Sequence, residues 1–482
     1  MTAEELKKGN ILRLNITDYA FEGKGISKIS LLNDEERNSN FVVFVKGAYP
    51  GDVVDAKIIK KKKNFAEALT EKIIQKSEDR TEAKCRYFGV CGGCKQQDLN
   101  YSAQLKYKQD QVVETLEHIG GQSDFLVEPI VACEKIFKYR NKMEFSFSDK
   151  RWLTVDELNS EQGIENRNFA LGLHIPRIFD KVLDIEECHL HPETGNKILN
   201  FTREFFRSRN TTIYSTKTHT GYLRNLVIKF SHHHESLMVN LVTSQENDKL
   251  MTEYTKHLLK EVPQVTTVIN NINLRKAQIA QGDYEKVYYG EGFIFDSIGD
   301  YKFRVSANSF FQTNTLQAEK LYDAVIDFGK FKKEDIVYDL YCGAGTISIY
   351  ISKFVKSVFG IEYVEEAIAD ARLNSELNSV DNCKFFAADL NKSFLDLIEV
   401  NSLPKPDIVV ADPPRSGMNP KTVKDIIRLS PEKIVYVSCN PSTQARDIKM
   451  LNEEGGYKLI NVRPVDMFPH TYHIENVALL IK

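Results

Sequence analysis

Covalent staples are scarce in these 482 residues: eight cysteines spread along the chain are too few for a disulfide scaffold. Long apolar runs are missing as well. No stretch approaches the roughly 18 residues that a membrane span needs. The opening MTAEELKKGN has acidic residues and no apolar centre, unlike a secretory leader. A cytoplasmic chain without a membrane partner is expected. Charge of one sign is also lacking: 64 Lys and Arg against 67 Asp and Glu leave a net charge of -3. A polyanionic partner would therefore have to meet a local basic patch. One such run is KIIKKKK, Lys57 to Lys63, which suits a phosphate contact or a solvated strand edge equally well.

What is present is an ordinary globular composition, 42% apolar and 27% charged, in a chain long enough for two to four domains. From Gly9 to Leu69, short alternating strands separated by Gly23-Lys-Gly25 and Pro50-Gly51-Asp52 turns predict a small barrel of about five strands. Tyr101 to Gly120 reads as a helix with Leu105, Tyr107, Val112, Val113, Leu116 and Ile119 on its apolar face, closed by two glycines. From Val127 to Tyr301, runs such as MEFSFS, FALGLHI, LRNLVIKF and SLMVNLV predict a sheet-rich region. His232-His233-His234 within it reads as surface rather than ligand. After Asn308 the pattern changes: IVYDLYC, SVFGIE, DIVVADPP and KIVYVSCN are buried-strand runs alternating with helices, an open α/β sheet whose ligands sit at the carboxyl ends of its strands.

The chemistry-bearing residues fall at those ends. In DLYCGAGT a strand runs into Gly343 and Gly345, where missing side chains let a ligand approach the backbone. The third glycine of a dinucleotide fingerprint is absent, which disfavours a nicotinamide cofactor. Glu362 closes the next strand, placed to accept from ribose hydroxyls, and Asp389 closes a third, facing an adenine edge. Three such residues at successive strand ends resemble the class I methyltransferase fold over 308–482, and the resemblance implies S-adenosylmethionine as cofactor. Cys439 follows the buried run KIVYV and precedes a polar helix start, a strand-to-loop turn facing the cleft. Glu475 stands just before the apolar strand NVALLI, where a strand-edge solubiliser would also fit.

Taken in order, SANSFFQTN, DLYCGAGT, ADPPRSGM, VSCNP and PHTYHIEN resemble the RNA uridine-C5-methyltransferase family, which acts on ribosomal or transfer RNA. The resemblance makes Cys439 a nucleophile that adds to uracil carbon 6 and Glu475 the base that removes the carbon 5 proton. It also brings Gln312, Tyr341, Glu362 and Asp412 to the methyl donor or target base, with Thr346 standing where some members carry Asn. A target carbon hidden in a stacked helix must be flipped out. Amino methyltransferases with an N-P-P-Y loop look similar at ADPPR, but their nitrogen attacks directly and needs no cysteine.

Cys85-x5-Cys91-Gly-Gly-Cys94 gathers three thiols around a glycine turn, with Cys188 the natural fourth. Four thiolates suit zinc or an iron–sulfur cluster, and spacing does not separate the two. The family resemblance does, because one branch carries a [4Fe-4S] cluster on this motif. Cys342 and Cys383 read as packing residues. The run VFVKGAYPGDVV with EGKGI resembles a TRAM domain, an OB-like RNA-binding barrel. YRNKMEF (139–145) and GYLRNL (221–226) resemble family segments near the RNA, with strand edge as the competing reading.

The resulting expectation is an α/β chain with a TRAM barrel at 1–70, a central cluster-bearing domain at 71–305 and a Rossmann-like catalytic domain at 306–482, onto which helix 101–120 is placed to pack. The substrate expected is 23S rRNA, with tRNA as the alternative, and the chain is expected to act as a monomer. A non-catalytic iron–sulfur RNA-binding protein is the reading from a different class, which an intact Cys439 and Glu475 disfavour.

Overall fold

The computed structural model describes residues 5–32, 38–160, 164, 166–176, 178–277 and 279–482. The first four residues, part of the segment compared above with a leader, lie outside that set.

Alternation such as ILRLN folds as strands with one face inward. Six N-terminal strands pair in the order Ile11–Asn15, Val53–Lys61, Phe65–Gln75, Asn38–Lys46, Lys24–Leu32, Asp18–Ala20. The two edge strands are consecutive pieces of one chain segment, so the sheet closes into a barrel around Leu14, Val43, Val54 and Ile58. Gly25 is needed there, because a Cβ would come within 2.7 Å of the Ala48 carbonyl oxygen. On the barrel's exposed side Lys57 pairs with Glu71 and Lys60 with Glu67. The barrel is fixed rather than tethered. Arg80 bonds the buried Asp52 at 2.7 Å, pairs with Asp98 and lies over the Tyr49 ring.

Asn100 caps the helix Tyr101–His118 by accepting from the Ala103 amide. Its Val112 and Leu116 enter a core with Leu340 and Tyr436 of the C-terminal sheet and Ala445 and Ile448 of the helix Pro441–Gly455. Its Gln111 donates to the Tyr19 and Ala20 carbonyls of the barrel. The following Leu126–Val127 adds an edge strand beside Lys458–Val465. One helix thus joins barrel and C-terminal sheet.

The central sheet has eight strands, with Lys142–Ser148 and Leu223–Phe230 paired in its middle. The two segments expected near RNA or at a strand edge, 139–145 and 221–226, run into those strands, and their place in mid-sheet corrects the edge reading. Tyr139, Asn141, Phe145, Tyr222, Arg224 and Leu226 are buried. Arg224 donates from its two terminal nitrogens to the Ala277 and Arg275 carbonyls, its guanidinium lying over the Tyr214 ring. The histidine run lies at the surface as a tied turn, in which His233 meets Asp296 and Glu319, and His234 meets Ser297.

The C-terminal sheet runs Cys383–Ala387, Ser357–Glu362, Ile336–Leu340, Ile408–Ala411, Lys433–Ser438, Glu475–Ile481, Lys458–Val465 and Leu126–Val127. The first five strands are parallel, and Glu475–Ile481 enters antiparallel between its neighbours. Near-continuous burial of these strands explains their unbroken apolar sequence. This is the α/β methyltransferase architecture expected, joined to an OB-like barrel and a sheet-rich central region. Among the described residues, no helix is long and apolar enough to cross a membrane.

Candidate active site

The donor-binding end is built by the turn after Ile336–Leu340. Tyr341, Gly343 and Gly345 all have positive φ, 66°, 53° and 76°. Two glycines accept this without a Cβ penalty, whereas Tyr341 is held by its amide donating to Ile361 O and its hydroxyl meeting Thr422. A Cβ at Gly345 would strike the Phe385 ring at 2.9 Å, but one at Gly343 would meet nothing within 4 Å. Open space therefore lies directly against the Gly343 backbone. Glu362 borders it, its carboxylate accepting from the Gly343, Tyr363 and Val364 amides at 3.2, 2.7 and 2.9 Å. Asp389, one strand further out, turns its own loop by accepting from Asn391 N at 3.0 Å. A bare glycine backbone beside a carboxylate suits the methionine and ribose parts of S-adenosylmethionine.

Across the same strand ends lies the thiol. Ser438 pairs with Asn476, so Cys439 and Glu475 are the next residues at one end of an antiparallel pair. Gln444 clamps that end, donating to the Tyr436 and Asn476 carbonyls while accepting from the Asn476 side chain. Asn440 caps the helix Pro441–Gly455 and donates to the Arg415 carbonyl at 2.9 Å, tying the cysteine turn to the loop after Asp412. Cys439 is half-buried, so the thiol is not consumed by packing. Burial, then the negative charges of Glu475 and Asp412, push it up to about 11, with Arg415 opposing. Burial and Asp412 push Glu475 well above the usual carboxyl range. Asp412 is itself pushed up to about 7 by burial and then Asp339. A thiol, two carboxyls whose ionisation is opposed and a guanidinium thus lie within electrostatic reach of one another, equipment for adding sulfur to a ring and moving one proton.

The C-terminal half, residues 231–482, matches the family model described as tRNA (uracil-5-)-methyltransferase, and residues 5–69 match that of the TRAM domain. The chain belongs to the tRNA (uracil-5-)-methyltransferase family. It is an RNA uracil-C5 methyltransferase that takes its methyl from S-adenosylmethionine. A relative from Chlorobaculum tepidum, described as an uncharacterized RNA methyltransferase, is 46% identical over 475 residues, covering 98% of this chain and 96% of the relative. One from Bacteroides thetaiotaomicron with the same description is 40% identical over 464 residues, 96% and 99% of the two chains. Among solved structures, a Pyrococcus abyssi tRNA (uracil-54, C5)-methyltransferase in complex with S-adenosyl-L-homocysteine aligns with a TM-score of 0.72 at 30% identity, over 97% of this chain and 99% of that one.

Three residues of this methyltransferase's cleft escaped the sequence reading. Tyr322 sits on a helix far from the glycine loop in sequence, yet its hydroxyl joins Thr346 Oγ1 at 2.8 Å and the Gln312 side chain. Arg415, the basic residue of ADPPRSGM, donates to the His473 ring, which burial and nearby cations keep neutral, down to about 3. Asp339, fully buried, accepts from Ser348 Oγ at 2.6 Å and is pushed up to about 7 by burial. Only the first lacked any sequence signal.

The four cysteines of the predicted metal set come together. Cys85, Cys91, Cys94 and Cys188 line one cavity of about 290 Å³ with Tyr87, Leu173 and Leu190. Burial pushes all four thiols up, and Cys188 feels the charge of the other three. Among the described residues, no three His, Cys, Asp or Glu close on the position of a single metal ion. Cys133 and Cys342 are buried and Cys383 is half-buried, as packing residues are.

Proposed function

We propose that this enzyme forms 5-methyluridine in folded RNA through a covalent adduct between Cys439 and carbon 6 of the target uracil. The carrying observation is the strand register that sets Cys439 beside Glu475, with Asp412 and Arg415 against both. Carbon 5 of uracil is a poor nucleophile until a thiolate adds at carbon 6 and pushes an electron pair toward the carbon 4 oxygen. Arg415 favours the thiolate, and Asp412, with its proton held near neutrality, donates to that oxygen. The methyl donor supplies an electrophilic sulfonium methyl for carbon 5. As carbon 5 takes that methyl, the carbon 4 oxygen hands its proton back to Asp412; Glu475 in its ionised form then takes the carbon 5 proton, the C–H pair becomes the 5,6 double bond, and the carbon 6–sulfur bond breaks to return the thiolate. Gly343, Tyr341, Thr346, Gln312, Glu362 and Asp389 hold the donor or the uracil around the open glycine space. Cys439→Ala should abolish methylation and leave S-adenosylhomocysteine affinity within twofold; methylation by that variant would end the covalent reading.

For the cysteine cavity we propose a [4Fe-4S] cluster held by Cys85, Cys91, Cys94 and Cys188. A single zinc ion needs sulfurs about 2.3 Å from one centre, whereas a cavity of about 290 Å³ suits a multi-atom group. The cluster would cross-link the loop at 85–94 to the central domain, and no step of methyl transfer needs it. Counting iron and acid-labile sulfide after anaerobic purification tests this, with zinc and no sulfide the overturning result. The barrel-and-cysteine architecture favours ribosomal RNA as the substrate, and the whole-chain likeness to a tRNA enzyme favours a second reading, tRNA. Mapping 5-methyluridine in both RNAs from a strain lacking the gene separates them.

A further inference from the structure

Glu475 is delivered by an irregular segment, 466–474, between two strands of the catalytic sheet. Within it His470 has φ 65°, a conformation a non-glycine residue holds only when its surroundings over-determine it. Those surroundings come from the helix Tyr101–His118. Its Tyr101, Gln104 and Lys108 lie on one face by their spacing of three and four, and all three reach the segment. The Tyr101 hydroxyl donates to Asp466 Oδ2 at 2.9 Å, and the Lys108 ammonium to Asp466 Oδ1 at 2.6 Å and the Phe468 carbonyl at 3.2 Å. Gln104 holds the part closer to Glu475. Its Oε1 accepts from the His470 amide at 2.8 Å, and its Nε2 donates to the Leu99 and Gln96 carbonyls at 2.8 and 2.9 Å while facing His470 Nδ1 at 3.3 Å. The His470 carbonyl accepts in turn from the Lys95 and Gln96 amides at 2.8 and 3.0 Å. Gln104 has no exposed surface.

We propose that Gln104 is a positioning residue for methyl transfer, fixing the 466–474 segment and thereby the carboxyl of Glu475 without touching RNA or methyl donor. The proposal rests on Glu475 being the base. A primary amide is suited to this place because one group must both accept from an amide and donate to two carbonyls. Methionine would fill the same volume and leave those partners unpaired in the interior. Addition of Cys439 and methyl transfer do not call on Glu475, but loss of the carbon 5 proton does, so a displaced carboxyl slows elimination selectively. The adduct then accumulates.

The test compares wild type, Gln104→Met and Glu475→Gln with labelled RNA and S-adenosylmethionine, reading turnover and the RNA–protein adduct on denaturing gels. For Gln104→Met we expect turnover at least tenfold lower, affinities for S-adenosylhomocysteine and RNA within twofold, and adduct several-fold above wild type. Unchanged turnover, or reduced turnover without added adduct, overturns the proposal, the latter result marking a purely structural role. If Gln104→Met does not fold, Gln104→Glu, which keeps the oxygen facing the His470 amide, is judged by the same readings. Should Glu475→Gln trap no adduct, the base assignment itself fails, and that failure is visible whatever the Gln104 variants do.

Discussion

Cys439 and Glu475 leave neighbouring antiparallel strands at the same end, one residue beyond the Ser438–Asn476 pair. Thirty-five residues of intervening chain matter little to that adjacency, because backbone hydrogen bonds fix the register and Gln444 locks it. The same closeness makes each group harder to ionise, since burial and like charge both oppose a second anion. Ionisation of the thiol and of the acid is thus opposed in the free enzyme, and the proposed roles separate the two in time, one before methyl transfer and the other after it.

Replacing the acid should separate those two events. Glu475→Gln is expected to lose roughly 10²–10⁴-fold in turnover while still forming the adduct, seen as an RNA–protein band that persists in denaturant. Free turnover by this variant would remove Glu475 from the mechanism.

Adduct formation should depend on pH through Cys439. A thiol held up at about 11 is ionised to only about one part in 10⁴ at pH 7, so single-turnover adduct formation should rise between pH 6 and 8, by up to about tenfold per unit. Arg415→Gln removes the charge that opposes this shift and should slow the step at least tenfold at pH 7. A flat profile in wild type would contradict the thiol assignment.

The half-buried carboxyl of Asp412 should show itself in stability. Its proton is held up to about 7 in the folded protein against an ordinary value of 3.8. Folding therefore gains from the protonated form below the unfolded value, and the gain is lost as pH rises through the folded one. Asp412→Asn should stabilise the protein by on the order of 1–3 kcal/mol at pH 8.5 and by roughly half as much at pH 5.5, while lowering activity. Thermal melts at the two pH values check this, and an equal shift at both would refute it.

The open space at Gly343 predicts a selective loss of donor binding. Gly343 and Gly456 both have positive φ, 53° and 72°, and neither would have a neighbour within 4 Å of an added Cβ. Alanine at either should cost roughly 1–2 kcal/mol of stability from backbone strain. Only Gly343→Ala should also weaken S-adenosylhomocysteine binding, by at least tenfold in calorimetric titration. Equal binding by the two variants would place the donor elsewhere.

Much of this site was legible in the chain itself because the chemistry clusters at strand ends, and a buried parallel strand announces its end by the change from an apolar run to Gly, Asp, Glu or Cys. Gly343, Glu362, Asp389, Asp412 and Cys439 all carry that local signal. Tyr322, by contrast, lies inside a helix whose pattern is satisfied by packing alone, and nothing local marks a hydroxyl that bridges Thr346 and Gln312. In the segments 139–145 and 221–226 the aromatic residues and Arg224 are buried in and beside the central sheet, with Arg224 donating to two internal carbonyls, a burial that basic and aromatic residue types do not announce locally.

Sequence alone settled the element types, the closed barrel, the α/β order and the reactive residue types, because each depends on local periodicity or on a motif of a few residues. The fold decided which of them meet. Strand register brought Glu475 to Cys439, the distant Cys188 came to the cavity of the three clustered thiols, and a helix from residue 101 onward came to hold the 466–474 segment. Those outcomes depend on long-range burial and hydrogen-bond satisfaction, free energies that belong to the packed chain as a whole and to no stretch of it.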